Sequence, residues 1–266
     1  MIIEVLSYGV VMPPEFVRPE CWPYKCRLVA PIDCIQGMDL IPDNSIDLVV
    51  TSPPYNIGIK YPNYEDKMPW DEYWRIMDET LVQIYRTLKP DGRVCINHYL
   101  SFGTAEHRLA PISIINRMAL ERGFKHHAIA VWQDRTLVKL TAWGSWMSAS
   151  APYVSCPYEG ILILYKNRWK KDRKGVTNIS KEEFRESCSG LWNLPTSRCK
   201  DYPATFPIEL PQRCIRLLSY EGDVVLDPFA GRGTTIKAAV LNNRIGVGFD
   251  IDPAAEKAFA AYMEKD

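Results

Sequence analysis

The 266-residue chain has no apolar run near the ~18 residues needed to cross a bilayer; Ile161-Leu162-Ile163-Leu164-Tyr165 is typical of its longest. Its amino terminus, Met1-Ile2-Ile3-Glu4, lacks the basic flank and sustained apolar core of a secretory leader. Both absences set the expectation of a cytoplasmic protein with no membrane partner. The eight cysteines form no Cys-x-x-Cys pair and the four histidines are scattered elsewhere, so the ligand spacing of a structural zinc site is missing. No metal is expected, and a chain of this length needs no disulfide staple. Net charge is absent too, with 32 basic residues against 32 acidic ones. What remains, 47% apolar and 24% charged residues, is the composition of a folded, enzyme-sized chain of one large domain.

The zero sum hides an uneven distribution. Residues 135–200 carry twelve Lys or Arg against five Asp or Glu, a net +7, which leaves −7 for the remainder. Clustered positive charge on a neutral protein suggests a surface that faces a polyanion, although a solvated loop explains it equally well. The densest part is Lys166-Asn167-Arg168-Trp169-Lys170-Lys171-Asp172-Arg173-Lys174.

Short apolar, β-branched runs alternate with longer helical patterns, which predicts an α/β fold on a mostly parallel sheet. Strands are expected at residues 28–33, 46–51, 94–98, 128–132, 160–165, 224–227 and 246–250. Residues 71–88 read as an amphipathic helix carrying Trp74, Met77, Leu81, Ile84 and Tyr85, stopped by a turn at Lys89-Pro90-Asp91-Gly92. Further helices are expected at 110–122, 207–218, 234–242 and 253–264. Two stretches interrupt this alternation: a polar, aromatic loop at 55–69, and 167–200, which shows little strand or core pattern. Loops that long are usually functional or disordered.

Two motifs carry chemistry. In the first, the strand Val224-Val225-Leu226-Asp227 runs into Pro228-Phe229-Ala230-Gly231-Arg232-Gly233-Thr234. A Gly-x-Gly turn between strand and helix lets backbone approach a ligand closely. Roughly twenty residues further, a second strand ends in Asp250, where an acid commonly holds ribose hydroxyls. This half is expected to hold a nucleoside cofactor, and a nicotinamide dinucleotide fits it nearly as well. The Walker spacing is absent, which argues against a nucleoside triphosphatase. In the second motif, the strand at 46–51 leads into Ser52-Pro53-Pro54-Tyr55. Successive prolines lack amide hydrogens and fix φ, so the turn is rigid and its carbonyls are available as acceptors. Ser52 Oγ and the Pro53 carbonyl suit an exocyclic amino group, and Tyr55 offers a flat face to a base. A tight turn with a packed tyrosine is the bland alternative.

Together these residues resemble the amino-methyltransferases that act on exocyclic amines of nucleic-acid bases. Ser52-Pro53-Pro54-Tyr55 is similar to that family's catalytic signature, and Phe229-Ala230-Gly231-Arg232-Gly233 to its cofactor signature. The catalytic motif comes first, as in the circularly permuted β-type of the DNA enzymes. Asp33-Cys34 and Ala204-Thr205-Phe206-Pro207-Ile208-Glu209-Leu210 are similar to two further cofactor segments, so the likeness covers most of the chain.

The resemblance implies a Rossmann-like class I methyltransferase fold, seven strands with one antiparallel, and S-adenosylmethionine as cofactor. It places Asp227 and Gly231 against the methionine portion, Asp250 on the ribose, Asp33 at the adenine amino group and Phe206 near the cofactor. Phe229, Gly233 and Thr234 complete the cofactor set. An Asp closing a strand is also a common helix cap, which is the plain reading of Asp33. The implied partner is double-stranded DNA, with a cognate restriction endonuclease and a homodimer as further candidates. Ser in the first motif position leans towards N4 of cytosine, against N6 of adenine. An RNA base, a catalytically silent nucleic-acid-binding module and a nicotinamide-dependent dehydrogenase are the rivals. No Pro-Cys dipeptide occurs, so the covalent chemistry of the C5-cytosine enzymes is not expected. Residues 135–200, apart from their one strand, are the expected embedded target-recognition region. Lys166, Arg168, Lys170, Lys171, Arg173 and Lys174 are its expected phosphate contacts. Trp143 and Trp146 either border the DNA pocket or pack inside.

Overall fold

The structure is a computed structural model that describes residues 5–6, 26–61, 64–104, 107–133, 143–195 and 205–264. The ends of the expected recognition region (135–142 and 196–200) and Ala204 lie outside the described residues.

Strand β3 (Ile46–Thr51) shows why the sheet forms where it does. All six residues are buried, so the sequence reads as one apolar run instead of an alternation. Val49 faces a layer containing Met77, Leu81 and Ile84 of α2 (Trp70–Thr87) and Ile112 and Ile115 of α3 (Pro111–Glu121). Leu48 and Val50 face the opposite layer, with Cys214 and Ile215 of α5 (Glu209–Leu218) and Ala238 and Ala239 of α6 (Thr234–Leu241). Helix α7 (Ala254–Glu264) covers one end, where Phe259 packs on Leu28 and Ile236.

The seven expected strands are present as β2 (Cys26–Val29), β3, β4 (Leu88–Tyr99), β7 (Lys125–Gln133), β8 (Tyr158–Tyr165), β10 (Val224–Asp227) and β11 (Ile245–Phe249). Two-residue strands β1 (Val5–Leu6) and β9 (Leu191–Trp192) extend the sheet to nine, in the order β1-β2-β11-β10-β3-β4-β8-β7-β9. Only β8 runs against its neighbours. A separate hairpin joins β5 (Phe102–Gly103) to β6 (Arg108–Leu109).

Three departures from the sequence reading have physical causes. The expected stop at Lys89-Pro90-Asp91-Gly92 is a bulge inside β4, because pairing jumps from Ile46↔Leu88 to Leu48↔Arg93. Strand β2 ends at Val29 instead of continuing to residue 33, and Asp33 begins α1 (Cys34–Asp39) by accepting the Ile35 N–H at 2.9 Å. The stretch 167–200 holds α4 (Lys181–Ser187), capped by Ser180, and β9, whose Trp192 is fully buried. Within 135–200, β8 is an internal strand of the sheet, where a strand is expected at 160–165.

Candidate active site

β3 and β10 are hydrogen-bonded neighbours, yet the chain leaves them in opposite directions, β3 towards β4 and β10 towards β11. Such a divergence opens a crevice beyond the carboxyl ends of the strands. Two cavities lie there, and both are lined by Ser52, Tyr61, Thr205 and Phe206.

The larger, about 250 Å³, is lined by Asp33, Phe206, Phe229, Gly231, Thr234 and Asp250 of the expected cofactor set. Ser52, Pro54, Tyr64, Tyr73, Ile76, Met77, Arg232 and Asp252 add to its wall. Asp250 holds the glycine turn in shape: its carboxylate accepts the Gly231 N–H at 2.7 Å and the Asp252 N–H at 2.8 Å. Burial raises its pKa, and those two N–H groups oppose the rise.

Two members of that set do not line the cavity. Asp227 is 1% exposed, and its carboxylate accepts the Thr51 hydroxyl at 2.7 Å and the Phe229 N–H at 3.1 Å. It therefore ties the end of β3 to the glycine turn. Burial lifts its carboxyl to a pKa of about 6 despite those hydrogen bonds. Gly233 acts through its backbone: at φ +82° it caps α6, and a Cβ there would run into the Phe259 ring.

The smaller cavity, about 160 Å³, is lined by Ser52, Pro53, Tyr55, Asn97, Tyr99, Trp132 and Glu159 among others. The Ser52 hydroxyl donates to Tyr55 Oη at 3.0 Å, and that phenol donates to Glu159 Oε2 at 2.6 Å. The Tyr55 ring stacks on His98 with centroids 4.3 Å apart. Tyr99 N–H donates to His98 Nδ1, so the proton sits on Nε2, which donates to Tyr73 Oη; Tyr73 in turn donates to the Pro54 carbonyl at 2.7 Å. Burial pushes the His98 pKa down to about 3, in keeping with a neutral ring. The loop after Tyr55 is also built: the Asp66 carboxylate accepts the N–H groups of Asn56, Ile57 and Ile59. Trp70 and Trp74 stack on each other and pack against the core.

Asn97 and Glu159 escape the sequence reading. Asn97 carries a signal, being a polar residue late in an apolar strand. Glu159 carries none, since it reaches this side only because β8 runs backwards, its amino end lying beside Tyr99 and Trp132.

The basic run is not brought to either cavity. It follows β8 at the amino ends of the other strands, where the N–H groups of Lys166 and Asn167 donate to the carbonyls of Gly92 and Pro90. The Lys171 side chain is only 4% exposed and pairs with Asp223 at 3.1 Å, Arg173 also pairs with Asp223, and the Lys166 ammonium donates to Asn44 and the Leu88 carbonyl. Arg168 pairs with Asp172, and Lys170 and Lys174 are exposed at that same end. The Lys166 and Lys171 ammonium groups are thus engaged internally, whereas the Arg173 side chain pairs with Asp223 while half exposed. The segment 143–157 differs. It follows the carboxyl end of β7 and leads into the amino end of β8, on the side of the cavities, and exposes Trp143, Trp146 and Met147.

Comparison with known proteins identifies the family. The sequence pattern described as DNA methylase matches residues 46–261. The chain is 44% identical to the type II methyltransferase M.MjaVI of Methanocaldococcus jannaschii over 60% of its length and 82% of the relative's. It is 30% identical to M.MjaI of the same organism over 81% and 84%. Among solved structures, the Thermus thermophilus protein TTHA0409 in complex with S-adenosyl-L-methionine superposes with a TM-score of 0.68 at 26% identity, covering 88% of this chain and 93% of the other. The cytosine-N4-specific PvuII DNA methyltransferase shares the fold, with a TM-score of 0.70 at 22% identity over 91% and 86%.

Proposed function

The chain belongs to the DNA methylase family, and from that premise we propose that it moves a methyl group from S-adenosylmethionine to the exocyclic N4 of a cytosine flipped out of double-stranded DNA. The observation that carries this reading is the shared wall: Ser52 lines both cavities, so a donor in one and a base in the other meet at its hydroxyl.

The larger cavity fits the cofactor by its donor set. Asp250 stands where ribose hydroxyls need an acceptor, Asp33 suits an adenine amino group, and Phe206 and Phe229 offer apolar surface. When bound, the cofactor supplies an electrophilic methyl group on a sulfonium. The protein's task is then to activate and aim the amine. An exocyclic amine is a poor nucleophile because its lone pair is delocalised into the ring. Acceptance of its N–H bonds by Ser52 Oγ and the Pro53 carbonyl favours a pyramidal nitrogen and stabilises the positive charge that develops there. Ser52 is prepared for this role, since its own hydrogen points to Tyr55 and its lone pairs remain for the substrate. Alignment supplies much of the remaining rate. Extrusion of the base costs a few kcal/mol, which stacking against Tyr55 offsets by roughly 1–3 kcal/mol.

The serine at the first motif position is the basis for choosing cytosine. The exposed aromatic segment 143–157 is the proposed target-recognition surface. The type II relatives support a place as the modification partner of a restriction endonuclease. The test is methyl transfer from isotopically labelled S-adenosylmethionine to unmethylated DNA, followed by nucleoside mass spectrometry. Label in N4-methylcytosine is expected. Label in N6-methyladenine reverses the base and keeps the site, and absence of label in DNA overturns the reading.

A further inference from the structure

Methyl transfer to an amine leaves a proton to dispose of, and the smaller cavity contains a path for it. The path begins at Ser52, whose hydroxyl donates to Tyr55 Oη, and ends at Glu159, which accepts the Tyr55 hydroxyl at 2.6 Å. Asn97 clamps both later members: its Nδ2 donates to Tyr55 Oη at 2.8 Å and to Glu159 Oε2 at 2.6 Å. The amide orientation is forced, because a flip would set its oxygen against two acceptors on the same side. Tyr55 Oη thus receives two hydrogen bonds and gives its only hydrogen to the carboxylate. Every hydrogen in the chain points from the shared wall towards Glu159.

Resting on the methyl-transfer reading above, we propose that Ser52, Tyr55 and Glu159 form a proton relay, with Glu159 its terminal acceptor and Asn97 the group that holds it in register. As the nitrogen–carbon bond forms and the carbon–sulfur bond breaks, the sulfur keeps the bonding pair and the amine nitrogen becomes cationic. Its surplus proton passes to Ser52 Oγ, the Ser52 proton to Tyr55 Oη, and the Tyr55 proton to Glu159 Oε2. The nitrogen keeps the electron pair of its broken N–H bond, both hydroxyls end neutral, and Glu159 becomes a carboxylic acid that returns its proton to water after the product leaves.

The surroundings suit this direction of flow. Burial and the neighbouring Glu159 hold the Tyr55 phenol well above its ordinary pKa, so it passes a proton on and does not rest as a phenolate. Of the other titratable groups near the path, Tyr99 on β4 is likewise raised by burial and by Glu159. His98, beneath the Tyr55 ring, stays neutral at ordinary pH. On the far side, the β7 residue paired with Glu159 is Trp132, which does not titrate. Glu159 acts through Tyr55, so it is a positioning and proton-accepting residue and not a base that touches the amine.

The experiment is single-turnover methyl transfer from labelled S-adenosylmethionine to amplified, hence unmethylated, genomic DNA between pH 5 and pH 8. It compares wild type, Glu159→Gln, Glu159→Asp, Tyr55→Phe and the Glu159→Gln/Tyr55→Phe pair, with cofactor and DNA affinities measured alongside. Glu159→Gln is expected to slow transfer at least about tenfold with both affinities within about threefold, and to lose the acidic limb of the rate profile. Glu159→Asp regains part of the rate and the limb. Tyr55→Phe, which keeps the ring and removes the relay's middle member, matches Glu159→Gln, and the pair is no slower than either single variant. A wild-type rate in Glu159→Gln, an unchanged acidic limb, or additive losses in the pair would overturn the relay while leaving methyl transfer intact. Should Glu159→Gln not fold, Tyr55→Phe and Glu159→Asp decide by the same limb. A wild-type protein that methylates no DNA base fails the functional reading itself, and the relay with it.

Discussion

The two ends of the sheet use charge in opposite ways. At the carboxyl ends of the parallel strands, Asp227 is buried and Asp250 half-buried, both held by N–H or O–H donors, with no cation paired to either among the described residues, and their pKa values are raised. At the amino ends, Asp47 and Asp223 are as buried as Asp227 but meet Lys89, Lys171 and Arg173. Ion pairs there lock the bulge of β4 and the chain after β8 onto the sheet. The difference teaches that a cluster of lysines and arginines in a sequence can serve the packing of a sheet end, here the end away from both cavities. At the carboxyl end neutral donors hold both strand-end carboxylates, and of the two only Asp250 lines the cavity.

This contrast can be broken or sharpened by substitution. The largest effect is expected from Lys171→Ala, which withdraws a cation from between two buried carboxylates and costs about 3 kcal/mol of stability. Chemical unfolding measures it, while the transfer rate per folded molecule stays at the wild-type value. Next comes Asp227→Asn. The folded pKa of Asp227, about 6, exceeds its unfolded value of 3.8, so ionisation is penalised in the folded state. Its contribution to stability is present below the unfolded value and is lost as pH rises through the folded one. Urea unfolding without cofactor at pH 4 and pH 7 should therefore show the variant gaining about 2 kcal/mol on the wild type between the two. Equal differences at both pH values would remove the carboxylate from its dry site. Asp250→Ala should weaken cofactor binding by about 2 kcal/mol, read by titration calorimetry, through lost charge-assisted hydrogen bonds. Unchanged affinity would take Asp250 out of the cavity wall. Smallest is Lys170→Ala with Lys174→Ala, exposed at the amino end and expected within about 0.5 kcal/mol of wild-type stability.

Much of this is legible in the sequence, for identifiable reasons. β3 and β10 are apolar runs cut off by Pro53-Pro54 and Pro228, and their bounds match those expected. Helix α2 declares itself by Met77, Leu81 and Ile84 along one face, which Tyr73 completes in place of the expected Trp74 and Tyr85. Short elements are illegible: α4 spans seven residues and β9 two, and Trp192 gives no periodicity alone although it is fully buried. The bulge at Lys89-Pro90-Asp91-Gly92 looks like a turn because a bulge uses the same residues, and only pairing to β3 distinguishes them. Asp227 and Asp250 are both strand-end acids, yet Thr51 draws one inward while the glycine turn leaves the other at the cavity. Pattern cannot separate them, because the deciding partner is distant in the chain. The same holds for Glu159, which is brought beside Tyr55 by a reversed strand.

The most direct test sets the two ends against each other in one assay. Single-turnover methyl transfer to DNA is measured for Ser52→Ala and for Lys170→Ala/Lys174→Ala, beside wild type. Removal of the acceptor at the shared wall should slow transfer by about 100-fold or more at unchanged cofactor affinity, and removal of the exposed cations should leave the rate within about twofold. A Ser52 variant at the wild-type rate, or a lysine pair that loses the reaction, would place the chemistry or the DNA at the wrong end of the molecule.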